Sequence, residues 1–115
     1  MSYTEAFHKV VNSLCVASGL DRDTAEYVVE LFLVQAQDMM KSVESYVNHE
    51  PSENEYNQMS ALFHKLKGSA GNIRAEDIMQ SCIHAENACR MKDLENIKNH
   101  TSQISETLCG YRKQM

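Results

Sequence analysis

Residues that interrupt helices are scarce along this chain, which has one proline and four glycines in 115 residues. A turn-rich β fold needs many of both, so long stretches without them favour helices. Within these stretches apolar residues recur every three or four positions, the spacing that places side chains on one face of a helix. The chain is therefore predicted to be all-α.

Five helices are predicted, and their boundaries carry local signals. The predicted ranges are about 4–18, 23–48, 52–70, 75–91 and 93–111. Gly19 is a suitable residue to end the first helix. Asp23 and Ser52 are each followed three residues later by a glutamate, the pattern of a capping box, and Asp93 is a good N-cap for the last helix. Gly71–Asn72 is predicted to be the turn between the third and fourth helices.

Short connections between long helices make neighbouring helices antiparallel. The economical arrangement is an up-down-up-down antiparallel four-helix bundle over about residues 20–112, with an additional N-terminal helix. A chain of 115 residues has the usual length of one domain, and no linker divides it. Residues 1–115 are therefore predicted to form a single domain.

The charge and hydropathy of the chain exclude several classes of partner. A formal net charge of -5 argues against nucleic acid, because binding to phosphates needs a basic surface. The most apolar run, Tyr27–Val34, is interrupted by Glu30 and is far shorter than the roughly 20 residues of a membrane-spanning helix. The N-terminus includes Glu5 and has no basic segment followed by an apolar one, so no secretory signal is predicted. A cytoplasmic location is expected.

The four cysteines are Cys15, Cys82, Cys89 and Cys109, and none of their spacings matches a C-x-x-C metal or redox motif. A domain of this length can fold without disulfides. The cysteines are therefore predicted to be free thiols that pack as small apolar side chains in the core of a protein from a reducing compartment.

The predicted third helix has a well-defined apolar stripe with a histidine on the opposite side. The stripe consists of Met59, Leu62, Phe63, Leu66, Ala70 and Ile73. Each residue turns the helix by about 100°, so His64 lies about 150° from the centre of this stripe. The imidazole of His64 is therefore predicted to point into solvent.

Small residues surround His64 on this exposed face, where long charged side chains are usual. Gly68 lies one turn after His64 and costs roughly 1 kcal/mol relative to alanine in a helix interior. Ala61 and Gly71 are also small, and Lys67 lies one turn along the helix. One interpretation is that another protein must reach the imidazole. The alternative is that the glycines only end the helix and that His64 is an ordinary surface residue.

The segment His64–Ile73 reads H-K-L-K-G-S-A-G-N-I and resembles the H-x-L-K-G-S-A-x-N-[IL]-G signature of the histidine-containing phosphotransfer (HPt) family. Residues 19–33 resemble the first long helix of that family, and Cys82–Arg90, which includes Glu86, resembles its C-x-x-L-E-x-A-x-R segment. The similarity extends to about Leu108. Arg74 is a departure, because the family most often has glycine in this turn.

The resemblance implies that His64 takes a phosphoryl group from an aspartyl phosphate and passes it to a second receiver domain. A neutral imidazole suits this role, because free histidine has a pKa of about 6.5 and is nucleophilic near pH 7. Lys67 would hydrogen-bond the phosphoryl oxygens, and Lys65, on another flank, would attract an acidic receiver pocket. Gly68, together with the other small residues, would leave room for docking.

The expected partners are receiver domains of response regulators, a hybrid histidine kinase, or both, with the chain acting as a monomer. The sequence has no G-x-x-x-x-G-K-[ST] phosphate loop, so the chain is expected to be a carrier and not an enzyme. It is also expected to need no cofactor of its own. Phosphoryl transfer commonly uses Mg²⁺, and without an acidic cluster here the receiver is expected to supply it.

Two alternatives to a phosphoryl carrier stay open at this point. A degenerate domain could dock receivers without carrying phosphate, although His64, Lys67 and Gly68 are all present. A metal-binding bundle could use other histidines and the cysteines. The histidines in question are His8, His49, His84 and His100. The Glu-x-x-His pattern of di-metal bundles is absent, and Cys82 and His84 would point to different helix faces.

Overall fold

The chain folds into five helices joined by short connections, as the spacing of its apolar residues predicts. The computed structural model describes residues 3–111, so predictions for residues 1, 2 and 112–115, including the end of the bundle at Arg112, lie outside it. The helices are α1 (Glu5–Ser18), α2 (Arg22–Val47), α3 (Glu53–Asn72), α4 (Glu76–Arg90) and α5 (Leu94–Gly110). The all-α prediction is confirmed.

Three of the predicted helix boundaries have the expected geometry. The Ser52 hydroxyl accepts a hydrogen bond from the backbone N–H of Glu55 at 3.2 Å, and the Glu55 carboxylate accepts one from the Ser52 N–H at 2.8 Å, which completes a capping box. Asp93 caps α5 by accepting from the Asn96 N–H. Gly19 ends α1 with a φ of 71°, a left-handed conformation that suits glycine.

Helix α2 begins at Arg22, close to the predicted start near Asp23, but the predicted N-cap, Asp23, is wrong by two residues. Asp21 is the N-cap, and its carboxylate accepts a hydrogen bond from the backbone N–H of Thr24 at 2.8 Å. Asp23 lies in the first turn, where a carboxylate also stabilises the positive end of the helix dipole. Asp21 and Asp23 are both acidic and only two positions apart, so the sequence alone does not distinguish the N-cap from a residue of the first turn. In the structure Asp21 has the capping geometry.

The predicted turn at Gly71–Asn72 is also wrong, because α3 continues through Asn72. The turn is made by Ile73 and Arg74, and the Ala75 N–H closes it by donating to the Ala70 carbonyl at 2.8 Å. Extending the helix in this way carries Ile73 into the core, where it is 4% exposed.

Helices α2–α5 form a four-helix bundle. Each packs against its neighbours in chain order, and α5 also packs against α2, which closes the ring. Contacts across the connections show the antiparallel arrangement: the Tyr46 hydroxyl of α2 donates to Gln58 of α3, and His84 of α4 lies against His100 of α5. Helix α1 packs on α2 outside this ring. The predicted up-down-up-down bundle with an additional N-terminal helix is confirmed.

The core contains the apolar stripe predicted for α3, with Leu62 only partly buried. In α2, the helical spacing of apolar residues predicts that Val28, Leu31, Phe32, Met39 and Val43 face the core. This prediction is less accurate, because Leu31 is exposed and Val28 and Met39 are only partly buried. The buried residues of α2 are Ala25, Val29, Phe32, Leu33, Ala36, Met40 and Val43. No helix within residues 3–111 is long and apolar enough to cross a membrane.

All four cysteines are free thiols. Cys82 and Cys89 are buried, and burial, with a smaller contribution from the charge of Glu86, raises the pKa of each thiol to about 12. These two thiols therefore stay protonated and pack as small apolar side chains. The prediction of a core position is wrong for Cys109, which is exposed, while Cys15 is partly buried.

Arg74 has a φ of 66°, in the left-handed region that costs a residue with a side chain roughly 1–2 kcal/mol. We expect Arg74→Gly to raise the free energy of unfolding by about 0.5–1 kcal/mol, because the extra freedom of glycine in the unfolded chain offsets part of the gain. Urea denaturation measures this change. Arg74→Ala is the control: it removes the guanidinium and keeps the strain, so an equal gain from alanine would contradict the backbone explanation.

Candidate functional site

His64 lies on the solvent side of α3. Its neighbour Phe63 is fully buried and Leu66 is 1% exposed, so the opposite face of α3 is fixed in the core. The imidazole side chain of His64 is 67% exposed. A partner can therefore reach the ring while the backbone that carries it is held by packing.

A carboxylate on the neighbouring helix holds both His64 and Lys67. Glu86 of α4 has one oxygen, Oε2, at 3.0 Å from His64 Nδ1 and the other, Oε1, at 2.9 Å from Lys67 Nζ. The side chain of Glu86 is 14% exposed and that of Lys67 is 30% exposed. Glu86 therefore joins the imidazole and the ammonium group into one partly buried network.

The protonation state of Glu86 follows from its surroundings. Partial burial alone would raise the pKa of its carboxyl group. Hydrogen bonds from Lys67 and His64, together with the charges of those side chains, outweigh burial and leave the pKa below its usual value. Glu86 is thus ionised at neutral pH and can only accept hydrogen bonds.

The ionised carboxylate determines the tautomer of a neutral His64. Because Glu86 can only accept, Nδ1 of His64 must carry the proton that lies between them. Nε2 then holds the lone pair, and no described residue forms a hydrogen bond with it. The arrangement therefore leaves the outer ring nitrogen free to act as a nucleophile.

The other residues predicted for this site fall into two groups. Lys65, Ala61 and Gly68 are exposed on α3, and a Cβ added at Gly68 would meet nothing within 4 Å. Gly71 is partly buried, and a Cβ there would lie 3.4 Å from Met79 Sδ of α4. Gly71 thus lies against α4, whereas Gly68 faces open space beside His64.

Sequence reasoning did not assign a role to Glu86, although the residue lies in the Cys82–Arg90 segment. A geometric signal was available. His64 and Glu86 lie eleven residues before and after Ala75, and Gly71 and Met79 lie four residues before and after it. In an antiparallel helix pair, residues equally far from the connection lie side by side, so the connection at Ala75 predicts both contacts.

The four histidines of the metal-binding alternative do not come together at one site. His8 contacts Arg22, His49 contacts Glu55, and His84 lies against His100. Within residues 3–111, no three side chains of histidine, cysteine, aspartate or glutamate are grouped so that they could hold a metal ion.

A family model of the Hpt domain matches residues 28–113, which include both His64 and Glu86. No curated protein and no solved structure matches the chain. The matched region begins within α2, so α1 lies before it. The match covers well over half of the sequence and agrees with the helical bundle and with the motif that begins at His64. The chain therefore belongs to the Hpt family of histidine-containing phosphotransfer domains.

Proposed function

We propose that this Hpt domain carries a phosphoryl group on Nε2 of His64, received from the aspartyl phosphate of one receiver domain and passed to another. Hpt domains act in two-component phosphorelays as phosphoryl carriers and not as catalytic enzymes. The observation that carries the proposal is the position of the Glu86 carboxylate, which accepts one hydrogen bond from Nδ1 of His64 and another from Nζ of Lys67.

In the transfer step, the lone pair of His64 Nε2 attacks the phosphorus atom of the aspartyl phosphate. The N–P bond forms, the P–O bond to the receiver breaks, and the aspartate carboxylate leaves with the electron pair. Substitution at Nε2 places positive charge on the imidazole ring. The ionised carboxylate of Glu86, 3.0 Å from Nδ1, stabilises that charge through the hydrogen bond it already accepts.

Lys67 is placed to bind the phosphoryl group after transfer. An ammonium group has three hydrogen-bond donors, and Glu86 takes one of them in the structure. The remaining donors can turn toward phosphoryl oxygens on the ring one helical turn away. Lys67 thereby offsets the added negative charge, as charge-assisted hydrogen bonds to phosphate do.

We assign the Mg²⁺ of the reaction to the receiver partner. Mg²⁺ needs several oxygen ligands in octahedral geometry. Among the described residues, Glu86 is the carboxylate that contacts His64 and Lys67. Each of its two oxygens already accepts a hydrogen bond, one from the imidazole and one from the ammonium group. One engaged carboxylate does not fit the needs of this ion.

The proposal is tested by incubating the protein with a phosphorylated receiver domain and Mg²⁺. We expect phosphate that is labile in acid and stable in base, and mass spectrometry should place it on His64. A receiver that binds without transferring phosphate would instead identify a docking domain of the degenerate kind and overturn the proposal.

We expect Glu86→Gln to slow phosphoryl transfer about tenfold, since a hydrogen bond to a charged group contributes roughly 1.5 kcal/mol and each 1.4 kcal/mol changes a rate tenfold. An amide can accept from or donate to Nδ1, so the variant should also populate the second tautomer. Rapid-quench kinetics measures the rate, and ¹H–¹⁵N NMR of the imidazole measures the tautomer.

Glu95→Gln is the matched control for this variant, because Glu95 is exposed on α5 and has no ion pair among the described residues. It should transfer at the wild-type rate. An unchanged rate and an unchanged tautomer in Glu86→Gln would show that the carboxylate does not position His64.

A further inference from the structure

A cleft separates α1 from the connection between α3 and α4. On one side α1 contacts α2, where His8 lies against Arg22. Lys9 follows His8 directly and so lies about 100° further around α1, and Ser13 lies one turn after Lys9 on the same side. These two residues face Arg74–Asp77 across the cleft. We call the space between them the connection cleft.

The connection cleft has the size of a small-molecule site. It consists of two adjoining cavities of about 330 Å³ and about 670 Å³, and Lys9, Ser13, Arg74 and Glu76 line both of them. Sites for small ligands commonly occupy about 300–1,000 Å³. Much of the remaining wall is apolar and small, and is formed by Ala6, Val10, Val16, Ala17 and Ala75. The cleft can therefore accept a small molecule that has an apolar part.

Charged groups of both signs line the connection cleft without a partner. Lys9 lies on the α1 side, and Arg74 and Glu76 lie on the other side. All three side chains are exposed, and none of them forms a hydrogen bond or an ion pair within residues 3–111. The neighbouring Asp77, in contrast, accepts a hydrogen bond from the Tyr111 hydroxyl at 3.1 Å. Two cations and one carboxylate are thus available to a ligand.

The backbone of Arg74 is an independent reason to expect a ligand here. Its φ of 66° is a conformation that glycine adopts without cost and that strains a residue with a side chain. The guanidinium makes no polar contact with the described part of the chain that would offset this strain. Strained residues of this kind cluster at active sites and ligand-binding sites. A guanidinium binds a carboxylate through two parallel hydrogen bonds, so a carboxylate ligand would give Arg74 a partner.

We propose that the connection cleft binds a small zwitterion, namely a free α-amino acid with an apolar side chain. Its carboxylate lies between the guanidinium of Arg74 and the ammonium group of Lys9, and its own ammonium group pairs with Glu76. Its side chain packs against the small apolar residues of the wall. A phosphate dianion fits less well, because the carboxylates of Glu76 and Asp77 would repel it. This binding is independent of phosphoryl transfer at His64.

The test is a titration of the full chain with L-alanine, L-valine, L-leucine and L-phenylalanine, one at a time and each up to about 10 mM, which detects millimolar binding. In ¹H–¹⁵N NMR spectra we expect saturable shifts of the backbone amides of Lys9, Ser13, Arg74 and Glu76. The amino acid that binds most tightly is then compared with its analogues that lack one charge. For leucine these are 4-methylpentanoate, without the ammonium group, and 3-methylbutylamine, without the carboxylate. Each should bind about tenfold more weakly or worse, since a charged hydrogen bond is lost.

Two variants of the cleft test the assigned residues. Arg74→Gly removes the guanidinium and relieves the strained backbone, so it should weaken binding at least about tenfold in a protein that is no less stable. Glu76→Gln should weaken binding of the amino acid but not of the analogue without an ammonium group. Lys98→Gln is the control, because Lys98 is exposed on α5 and has no ion pair among the described residues, and it should bind as the wild type does.

Three results would overturn the proposal. The first is the absence of saturable shifts at the connection cleft with all of the amino acids tested. The second is an analogue without the ammonium group that binds as tightly as the amino acid, which would identify a site for simple anions. The third is unchanged affinity in Arg74→Gly, which would place the ligand elsewhere.

Discussion

Replacing His64 by glutamine is expected to abolish phosphoryl acceptance and to leave the fold intact. The imidazole is 67% exposed, and its described polar contact is the one with Glu86. Glutamine can still hydrogen-bond to that carboxylate but offers no nucleophilic nitrogen. Surface substitutions of this kind change stability by about 0.5 kcal/mol or less. Incubation with a phosphorylated receiver should yield no acid-labile phosphate, and urea denaturation should give a curve close to that of the wild type.

His49→Gln is the matched control for this experiment. His49 is also exposed and also bonds a glutamate, Glu55, at 3.2 Å. It lies before α3, outside the motif that begins at His64, so its replacement should leave transfer unchanged. Acid-labile phosphate on the His64→Gln protein at a level near that of the wild type would place the phosphoryl group on another residue and contradict the assignment.

Gly68→Gln is expected to have opposite effects on stability and on transfer. Gly68 lies inside α3, and a Cβ there would meet nothing within 4 Å, so the fold accepts a side chain. A good helix former in place of glycine adds about 1 kcal/mol of stability. The same side chain lies one turn from His64 and obstructs an approaching receiver, and we expect transfer to fall at least about tenfold, the equivalent of 1.4 kcal/mol.

Comparing a small and a large phosphoryl donor distinguishes steric obstruction of the receiver from a loss of reactivity at His64. Phosphoramidate, a small donor, should phosphorylate the Gly68→Gln protein as fast as it phosphorylates the wild type. A phosphorylated receiver should transfer to the variant more slowly than to the wild type. Gly110→Gln is the control, since Gly110 is also a helical glycine with open space around it but lies at the end of α5. Receiver transfer at the wild-type rate in Gly68→Gln would show that the receiver does not approach over this face.

Local patterns predicted most of the fold because the main signals act within one or two helical turns. The capping box at Ser52 and the left-handed glycine at position 19 involve residues no more than four apart, and both were predicted correctly. The apolar residues of α3 lie on one face only, so the side of the helix that faces the core is unambiguous. The exposed position of His64, on the opposite side of α3, follows from this orientation.

The buried face of α2 could not be predicted in the same way. Apolar residues occupy nearly every position from Tyr27 to Val34, so several faces satisfy the same spacing. Contacts with α1, α3 and α5 decide which of them is buried, and they select Val29 and Leu33 and leave Leu31 44% exposed. Helical periodicity within α2 contains no information about where those three neighbours lie.

The role of Glu86 shows where an interpretation based on one helix stops. The pattern around His64 indicated an exposed nucleophile and a nearby lysine, both on α3. The group that orders them comes from α4 and depends on the register of two helices across the connection at Ala75. That register depends on where α3 ends, and the predicted turn was placed too early, at Gly71–Asn72.

The shared carboxylate of Glu86 also bears on the reversibility of the proposed relay. With the Nδ1 proton held against Glu86 before and after transfer, neither direction of the reaction takes a proton from water or returns one to it. No general acid or base has to be reset between turnovers. The direction of phosphate flow through such a carrier is then decided by the relative free energies of the two partners' aspartyl phosphates, and the same site serves equally well as acceptor and as donor.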